Sequence, residues 1–347
     1  MGQLVGVLTG MRAQPLILGY HRVVEHFDTH ADLTIRPMLI SRAMLEKHLD
    51  WIGGRYRFAS LDELGRRLEE GASAEGLAAV TFDDGYSDVY ENAFPLLQRK
   101  GIPAAVFVVT DIVGSRVAPF HDRLYLLVAG ALKRWRANPE AAEKLFSELG
   151  LAHLNGAVTR NDDPLSVMGV LLDRLSQEQA FTVAEALCGE VELSGDELRA
   201  MRPLTWEMLR EMQRSDITIG SHTRSHPLLT NETGRKLDDE LKASRAALER
   251  ELNTPIRHFA YPDGRWSTLV VDSVKSAGYR FAYTTCSHRD PRHPLLTIPR
   301  LVLWERSCAD SAGRFSASVM SCHADGLFRL VARCKTNHRR RPLSRAA

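Results

Sequence analysis

The sequence predicts an α/β fold, a parallel sheet or barrel with crossover helices, and three observations predict it. Short apolar runs of strand length alternate with stretches whose apolar residues recur at helical spacing. Acidic and histidine-bearing segments follow directly on two of these runs, at the strand ends where open α/β sheets and barrels carry their chemistry. Between those two segments, residues 114–203 break the alternation with helical patterns and no convincing strand.

The elements follow in order. Pro15 to Tyr20 reads as the first strand and Ser41 to Ile52 as a helix with Met44, Leu45, His48, Leu49 and Ile52 on one side. Tyr56 to Ala59 is a strand, Leu61 to Glu70 a helix, Ala78 to Phe82 a strand, and Asp88 to Lys100 a helix. Gly101-Ile102-Pro103 then leads into the strand Ala104 to Val109. In the break, Arg123 to Arg136, Pro139 to Leu149 and Pro164 to Leu187 read as helices, an insertion placed where it could roof a site or pack peripherally.

The alternation resumes with Trp206 to Arg214 as a helix and Ile217 to Gly220 as a strand. Leu237, Leu241, Ser244, Leu248 and Leu252 then stripe a long helix as a core-packing face. His258 to Tyr261 is a strand, Trp266 to Ala277 a helix, and Arg280 to Thr284 a strand. The expected organisation is an extension over 1–14, one domain over 15–305 with the insertion inside it, and a basic tail over 306–347.

Composition excludes several classes. The 347 residues are 44% hydrophobic, which is globular and neither disordered nor fibrous. Lys and Arg number 45 against 43 Asp and Glu, a formal net charge of +2, so no global field favours nucleic acid. The five cysteines, at 188, 286, 308, 322 and 334, have no Cys-x-x-Cys spacing and indicate neither a disulfide framework nor a thiolate zinc site. Arg12 is the only basic residue in the first twenty, so no cleavable signal is expected, and no apolar run reaches the ~18 residues needed to span a bilayer. A cytoplasmic protein is expected.

Two segments carry the chemistry. In Thr81-Phe82-Asp83-Asp84-Gly85 two carboxylates stand at a strand's carboxyl end, pointing opposite ways unless the turn re-aims one. One can bind a metal while its neighbour takes a proton from an attacking water, although Asp-Asp-Gly alone also reads as a simple turn. In Ser221-His222-Thr223-Arg224-Ser225-His226-Pro227 the four-residue spacing can bring two imidazoles to one side. Two solvated loop histidines is the plainer reading of that segment by itself. Together, two histidines and a carboxylate make a three-ligand hydrolytic metal site with open positions.

These segments, with Tyr261-Pro262-Asp263-Gly264, resemble the first three motifs of the polysaccharide deacetylases, carbohydrate esterase family 4, also called the NodB-homology domain. The resemblance spans roughly residues 15 to 305 and implies a distorted (β/α) barrel with a helical insertion. It implies that Asp83 is the general base, and that Asp84, His222 and His226 bind a divalent metal, usually Zn2+. It further implies that the backbone N–H of Asp263 meets the oxyanion formed when a metal-held water attacks an acetamide. The implied partner is an N-acetylated glycan in a cell-surface polysaccharide or chitooligosaccharide.

The chain departs from the family pattern at two places. Ala260 and Asp263 stand where the family's third motif carries Arg and Tyr, and Arg300, after another apolar stretch, could supply the missing guanidinium to Asp83 or simply form a surface ion pair. The late Leu-x-His motif that supplies a general acid is also not evident. His288 and His293 lie in a polar loop and read as solvated. Family members acting on poly-N-acetylglucosamine-like exopolysaccharides resemble this chain in an early Tyr-His segment, which implies His21 as the acid; a core histidine bonded to backbone is the alternative.

His121-Asp122-Arg123 could touch sugar, though a capping or ion-pair role fits it as well. Tyr86, Tyr261, Trp266 and Trp304 could stack on pyranose rings or simply pack. Leu327, Phe328, Leu330 and Val331 before the basic run Lys335 to Arg341 could give weak contact with an inner-membrane surface. Competing functions are another C–N amide hydrolase, on a cyclic amide or formamido sugar, and a carbohydrate-binding pseudoenzyme.

Overall fold

The computed structural model describes residues 14–31, 34–328, 334 and 338. Its strands are β1 (Leu16–Tyr20), β2 (Arg22–Val24), β3 (Leu39–Ser41), β4 (Arg57–Phe58), β5 (Leu77–Phe82), β6 (Ala104–Val108), β7 (Ile217–Ser221), β8 (His258–Ala260), β9 (Phe281–Thr284), β10 (Ile298–Pro299) and β11 (Leu301–Val302). The main sheet runs β10-β9-β8-β7-β6-β5-β1-β11 with β4 beside β5, and each pairing is parallel. β2 and β3 form a separate parallel pair.

One residue joins the two ends of that order. β10 bonds β9 and β11 bonds β1, and only Arg300 lies between them. Its N–H donates to the Thr284 carbonyl (2.7 Å), and the Leu303 N–H donates to Gly19 (2.9 Å). The extended segment 298–302 thus nearly closes the sheet into a barrel surrounded by helices, as expected from the alternation.

The pleat sorts side chains into two layers. Ile17, Ala79, Ala105, Phe107, Ala260, Phe281, Tyr283 and Ile298 share the inner cluster. Leu18, Val80, Phe82 and Val106 alternate with them and pack outward on Leu45, Leu49, Leu96, Leu97, Leu209, Leu241 and Leu248 of the helices. β1, β5 and β6 are buried along their whole length, the mark of parallel strands covered on both faces.

Several helices start where a hydroxyl caps them. Ser41, Ser60, Thr205 and Ser267 accept from the N–H three residues on, beginning Arg42–Gly53, Leu61–Glu69, Trp206–Gln213 and Thr268–Ser276. Two expectations are corrected. The helix expected over Pro164 to Leu187 is two, Pro164–Arg174 and Gln177–Cys188, because Ser176 and Gln179 form a capping box that starts a new helix. The helix expected over Asp88 to Lys100 opens with a π-turn, Val89–Ala93, before Phe94–Lys100, where Pro95 has no N–H for a regular ladder.

The insertion has its own core, built on Leu124, Val128, Trp135, Phe146, Leu171 and Val183. It docks on the barrel's carboxyl-end loops. Gln177 donates through its backbone N–H to Glu232 (2.9 Å) and through its side chain to the Ser225 carbonyl (2.8 Å), and Asn231 donates to the Leu172 carbonyl (2.8 Å).

Past residue 305, Cys308 and Met320 are fully buried in the main core, while Leu327 and Phe328 are exposed. Leu330, Val331 and the basic residues Lys335, Arg339, Arg340 and Arg341 lie outside the described residues. Among the described residues, no helix is long and apolar enough to cross a membrane.

Candidate metal centre and active site

The residues singled out in the sequence converge on the carboxyl end of the barrel. Asp83 and Asp84 follow β5, His222 follows β7, Asp263 lies in the turn after β8, His21 follows β1, and Arg300 sits at the closure.

The turn after β5 separates the two carboxylates. Asp84 (φ +68°) and Gly85 (φ +75°) are both left-handed. A Cβ on Gly85 would meet Val108 Cγ1 at 2.9 Å, so the turn needs glycine there. Held this way, Asp83 faces Arg300 and Asp84 faces the histidines.

Arg300 grips Asp83 at both oxygens, with Nη1 to Oδ1 at 2.7 Å and Nη2 to Oδ2 at 2.6 Å. Nη1 also donates to Thr81 Oγ1 (3.0 Å), itself a donor to the Leu18 carbonyl (2.8 Å), and the guanidinium lies 5.3 Å from the Phe107 ring centre. Both partners are buried, so this is no surface ion pair. Burial alone would raise the Asp83 carboxyl; Arg300 first and then His222 outweigh it and hold the group below its ordinary value.

Asp84 is arranged for a cation. Its Oδ1 is buried without a hydrogen-bond donor, yet His226 Nε2 lies 3.3 Å away and His222 Nε2 3.4 Å away. Ligand atoms about 2.1 Å from a tetrahedral ion stand about 3.4 Å apart. His222 Nδ1 lies 2.8 Å from the Ala260 carbonyl, which can only accept, so the proton sits on Nδ1 and the Nε2 lone pair faces Asp84. Burial opposes the Asp84 charge, but His121, His222 and His226 hold this carboxyl well below its ordinary value.

The histidine loop is itself held. Thr223 (φ +72°) and His226 (φ +63°) are left-handed, and the His226 N–H donates to Thr223 Oγ1 (2.9 Å). Glu240, on the buried face of the helix Gly234–Leu252, accepts from the N–H groups of Arg224 (3.0 Å) and Ser225 (2.8 Å) and from the Ser225 hydroxyl (2.6 Å). The stripe expected only to fill the core thus also cradles the loop, since Ser244 accepts from the Ser221 hydroxyl (2.9 Å).

His121, read from the sequence as a sugar contact, a cap or an ion-pair residue, lies beside Asp84 and joins the metal cluster, a place the sequence reading did not give it. Asp84, His121 and His226 each bring a ligand atom within 4.8 Å of one another. His121 Nε2 is 3.7 Å from Asp84 Oδ2 and 2.8 Å from the Tyr86 hydroxyl, which donates to Asp122 (2.6 Å). It caps nothing: the helix Phe120–Ala137 has Pro119 at its N-cap. Burial depresses the His121 pKa against the pull of Asp84 and Asp122. A histidine and aspartate at the start of an insertion between two strand-end motifs was the available signal.

His21 is partly buried, and its Nδ1 has no hydrogen-bond partner among the described residues, so that atom is not bonded to backbone. It is close enough for its charge to act on both Asp83 and His121. Asp263 (φ +53°) precedes Gly264 (φ +64°), and its side chain pairs with Arg265 (2.6 Å) rather than entering the core. Tyr261 and Trp266 are buried packing residues, Tyr86 is buried with its hydroxyl on His121 and Asp122, and Trp304 is partly exposed beside Phe27. A cavity of about 850 Å³ lined by Phe58, Ile102, Ile217 and His258 opens at the opposite, amino end of the strands, away from these groups.

Known proteins resemble this chain in sequence and in fold. The profile of the family described as polysaccharide deacetylase matches residues 70–148 and 158–282, together more than half of the chain. A putative polysaccharide deacetylase of Bacillus subtilis, YxkH, is 18% identical over 71% of this chain and 58% of its own length. The poly-beta-1,6-N-acetyl-D-glucosamine N-deacetylase of Staphylococcus aureus is 28% identical over 31% of this chain and 39% of its own. The chain therefore spans less than two thirds of either relative. Among solved structures, the Streptococcus pyogenes deacetylase PplD in complex with acetate (TM-score 0.55, 18% identity, 89% of this chain and 97% of that one) shares the fold. IcaB from Ammonifex degensii (TM-score 0.54, 18% identity, 90% and 97%) does so as well.

Proposed function

Because the chain belongs to the polysaccharide deacetylase family, we propose that it removes the N-acetyl group from an amino sugar in a cell-surface glycan, with poly-N-acetylglucosamine as the substrate class to test first. The observation that carries this reading is the divided carboxylate pair, with Asp83 clamped by Arg300 and Asp84 turned to two imidazoles.

The residues fit a divalent metal, most simply Zn2+, on Asp84, His222 and His226. The orphaned Asp84 Oδ1 and the lone pair left on His222 Nε2 are the atoms such an ion takes. When bound, it supplies Lewis-acid polarisation of the acetamide carbonyl and lowers the pKa of water.

Asp83 stays ionised beside Arg300 and accepts the proton of the attacking water. Arg300 fixes the carboxylate plane so that one lone pair can take that proton without a change of rotamer. The Asp263 N–H serves the developing oxyanion, and the adjoining left-handed Gly264 lets substrate approach the backbone. His21 protonates the nitrogen as the C–N bond breaks, giving acetate and a free amine.

Acetate release from β-1,6-linked N-acetylglucosamine oligomers tests the proposal. Release that stops with Asp83→Asn supports it. Hydrolysis of only cyclic amides or formamido sugars would favour the other amide hydrolases, and glycan binding without hydrolysis of any substrate would favour a binding protein.

A further inference from the structure

Two of the five cysteines, read from their spacing as unconnected, come together with two histidines. Cys286 and His288 lie in the loop after β9, and Cys334 and His338 lie near the chain's end. All four bring a ligand atom within 4.8 Å of one another. Cys286 Sγ is 3.1 Å from His288 Nδ1, 3.2 Å from Cys334 Sγ and 3.3 Å from His338 Nε2, and Cys334 Sγ is 3.3 Å from His338 Nε2. A sulfur separation of 3.2 Å is far beyond the ~2.05 Å of a disulfide. Around a tetrahedral zinc, with bonds of about 2.3 Å to sulfur and 2.0 Å to nitrogen, neighbouring ligand atoms stand roughly 3.3 to 3.8 Å apart. The observed cluster needs to widen by only a few tenths of an ångström.

The surroundings are those of a built site. His338 Nδ1 lies 3.0 Å from the Trp266 carbonyl, which must accept, so Nε2 presents its lone pair to the sulfurs. The His338 ring is stacked on Trp266 (centroids 3.9 Å, 23°), which sets its plane. The His288 N–H points at Cys286 Sγ (3.3 Å), a bond that favours thiolate over thiol. The donor set suits zinc, and it is complete from protein alone, which marks a structural site and leaves no open position for chemistry.

We propose that Cys286, His288, Cys334 and His338 bind a structural zinc ion that fastens Cys334 and His338 to the loop after β9. The fastening acts on two loops that matter at the active site. The Cys286 N–H donates to Thr284 Oγ1 (3.1 Å), and that hydroxyl donates to the Gly264 carbonyl (2.5 Å). The Thr284 carbonyl accepts from Arg300, and the Thr268 N–H donates to the His338 carbonyl (3.1 Å). Zinc here would hold the glycine turn and the Arg300 strand against each other.

The test uses full-length, tag-free protein purified under reducing conditions. Loading with Co2+ should give the intense near-ultraviolet sulfur-to-cobalt charge-transfer band, which an oxygen and nitrogen site cannot produce. The band should persist in Asp84→Asn, which empties the other centre, and disappear in Cys334→Ser. Zinc analysis should find two ions per chain in the wild type and one in either variant. A wild-type protein without the band, or a Cys286–Cys334 disulfide found by mass spectrometry in the protein as isolated, would overturn the proposal. Because the band is read on wild type, a variant that fails to fold does not remove the test. Failure of the deacetylase reading would leave it untouched.

Discussion

Arg300 binds both oxygens of Asp83, at 2.7 and 2.6 Å, from the segment that closes the barrel rather than from the turn after β8. Removing it should therefore act on the base and not on the metal. Arg300→Met is expected to keep full metal content and lose about 10²- to 10⁴-fold in kcat/KM, the range for general base catalysis. With the guanidinium gone, burial raises the Asp83 carboxyl, so the acid limb of the pH profile should move to higher pH. Leaving Asp83 buried and unpaired should also cost about 3 to 5 kcal/mol of stability, part of which Asp83→Asn in the same chain restores. Urea unfolding and pH–rate profiles check both statements.

His21 is expected to act late. His21→Asn should leave metal content unchanged and lower kcat by about 10²-fold or more on acetamides, whose amine needs a proton to leave. Acetate esters with good leaving groups should lose far less. Equal losses on both substrates would assign His21 to binding or folding.

Gly264 tests the turn that carries the Asp263 N–H. A Cβ there would fall 2.1 Å from Thr285 Oγ1 and 2.6 Å from the Thr285 nitrogen, at φ +64°. Gly264→Ala should displace the turn and cost catalysis of the size seen for lost oxyanion donors, about 10²-fold or more, while metal content stays intact. A variant with wild-type kcat would show that the turn does not serve the oxyanion.

Acid should loosen the barrel through His48. This histidine is fully buried against Tyr20, whose hydroxyl lies 3.2 Å from Nδ1, and burial first, with His323, pushes its pKa down to about 4. The unfolded chain titrates near 6.5, so it binds the proton that the folded chain refuses between pH 6.5 and 4. Stability from this group is full above about 6.5 and falls as pH drops toward 4, by up to about 3 kcal/mol. Unfolding of His48→Met followed over that range should show a shallower dependence on pH than wild type.

Much of this was legible in the sequence because it is local. Alternating apolar runs placed the strands, and hydroxyls such as Ser41 and Thr205 stood where helices begin. Asp83, Asp84, His222 and His226 are each carried by a strand end, so their convergence follows from parallel topology. Arg300 could be proposed only as a replacement for a missing arginine, since barrel closure by a single residue has no local signature. His121 was singled out in the sequence, but its place in the metal cluster was not legible, because its partners Asp84 and Tyr86 lie across the fold. The Cys286 and Cys334 cluster joins residues 48 apart, beyond any spacing rule for thiolate sites. The break at Ser176 was missed although its capping box with Gln179 is local, because the apolar period runs on across it.

The most direct measurement is metal content and acetate release on the same preparations of wild type, Asp83→Asn and Asp84→Asn. The division of labour predicts that Asp83→Asn keeps the active-site metal and loses turnover, while Asp84→Asn loses both. Asp83→Asn protein that sheds the metal, or that still releases acetate at the wild-type rate, would contradict it.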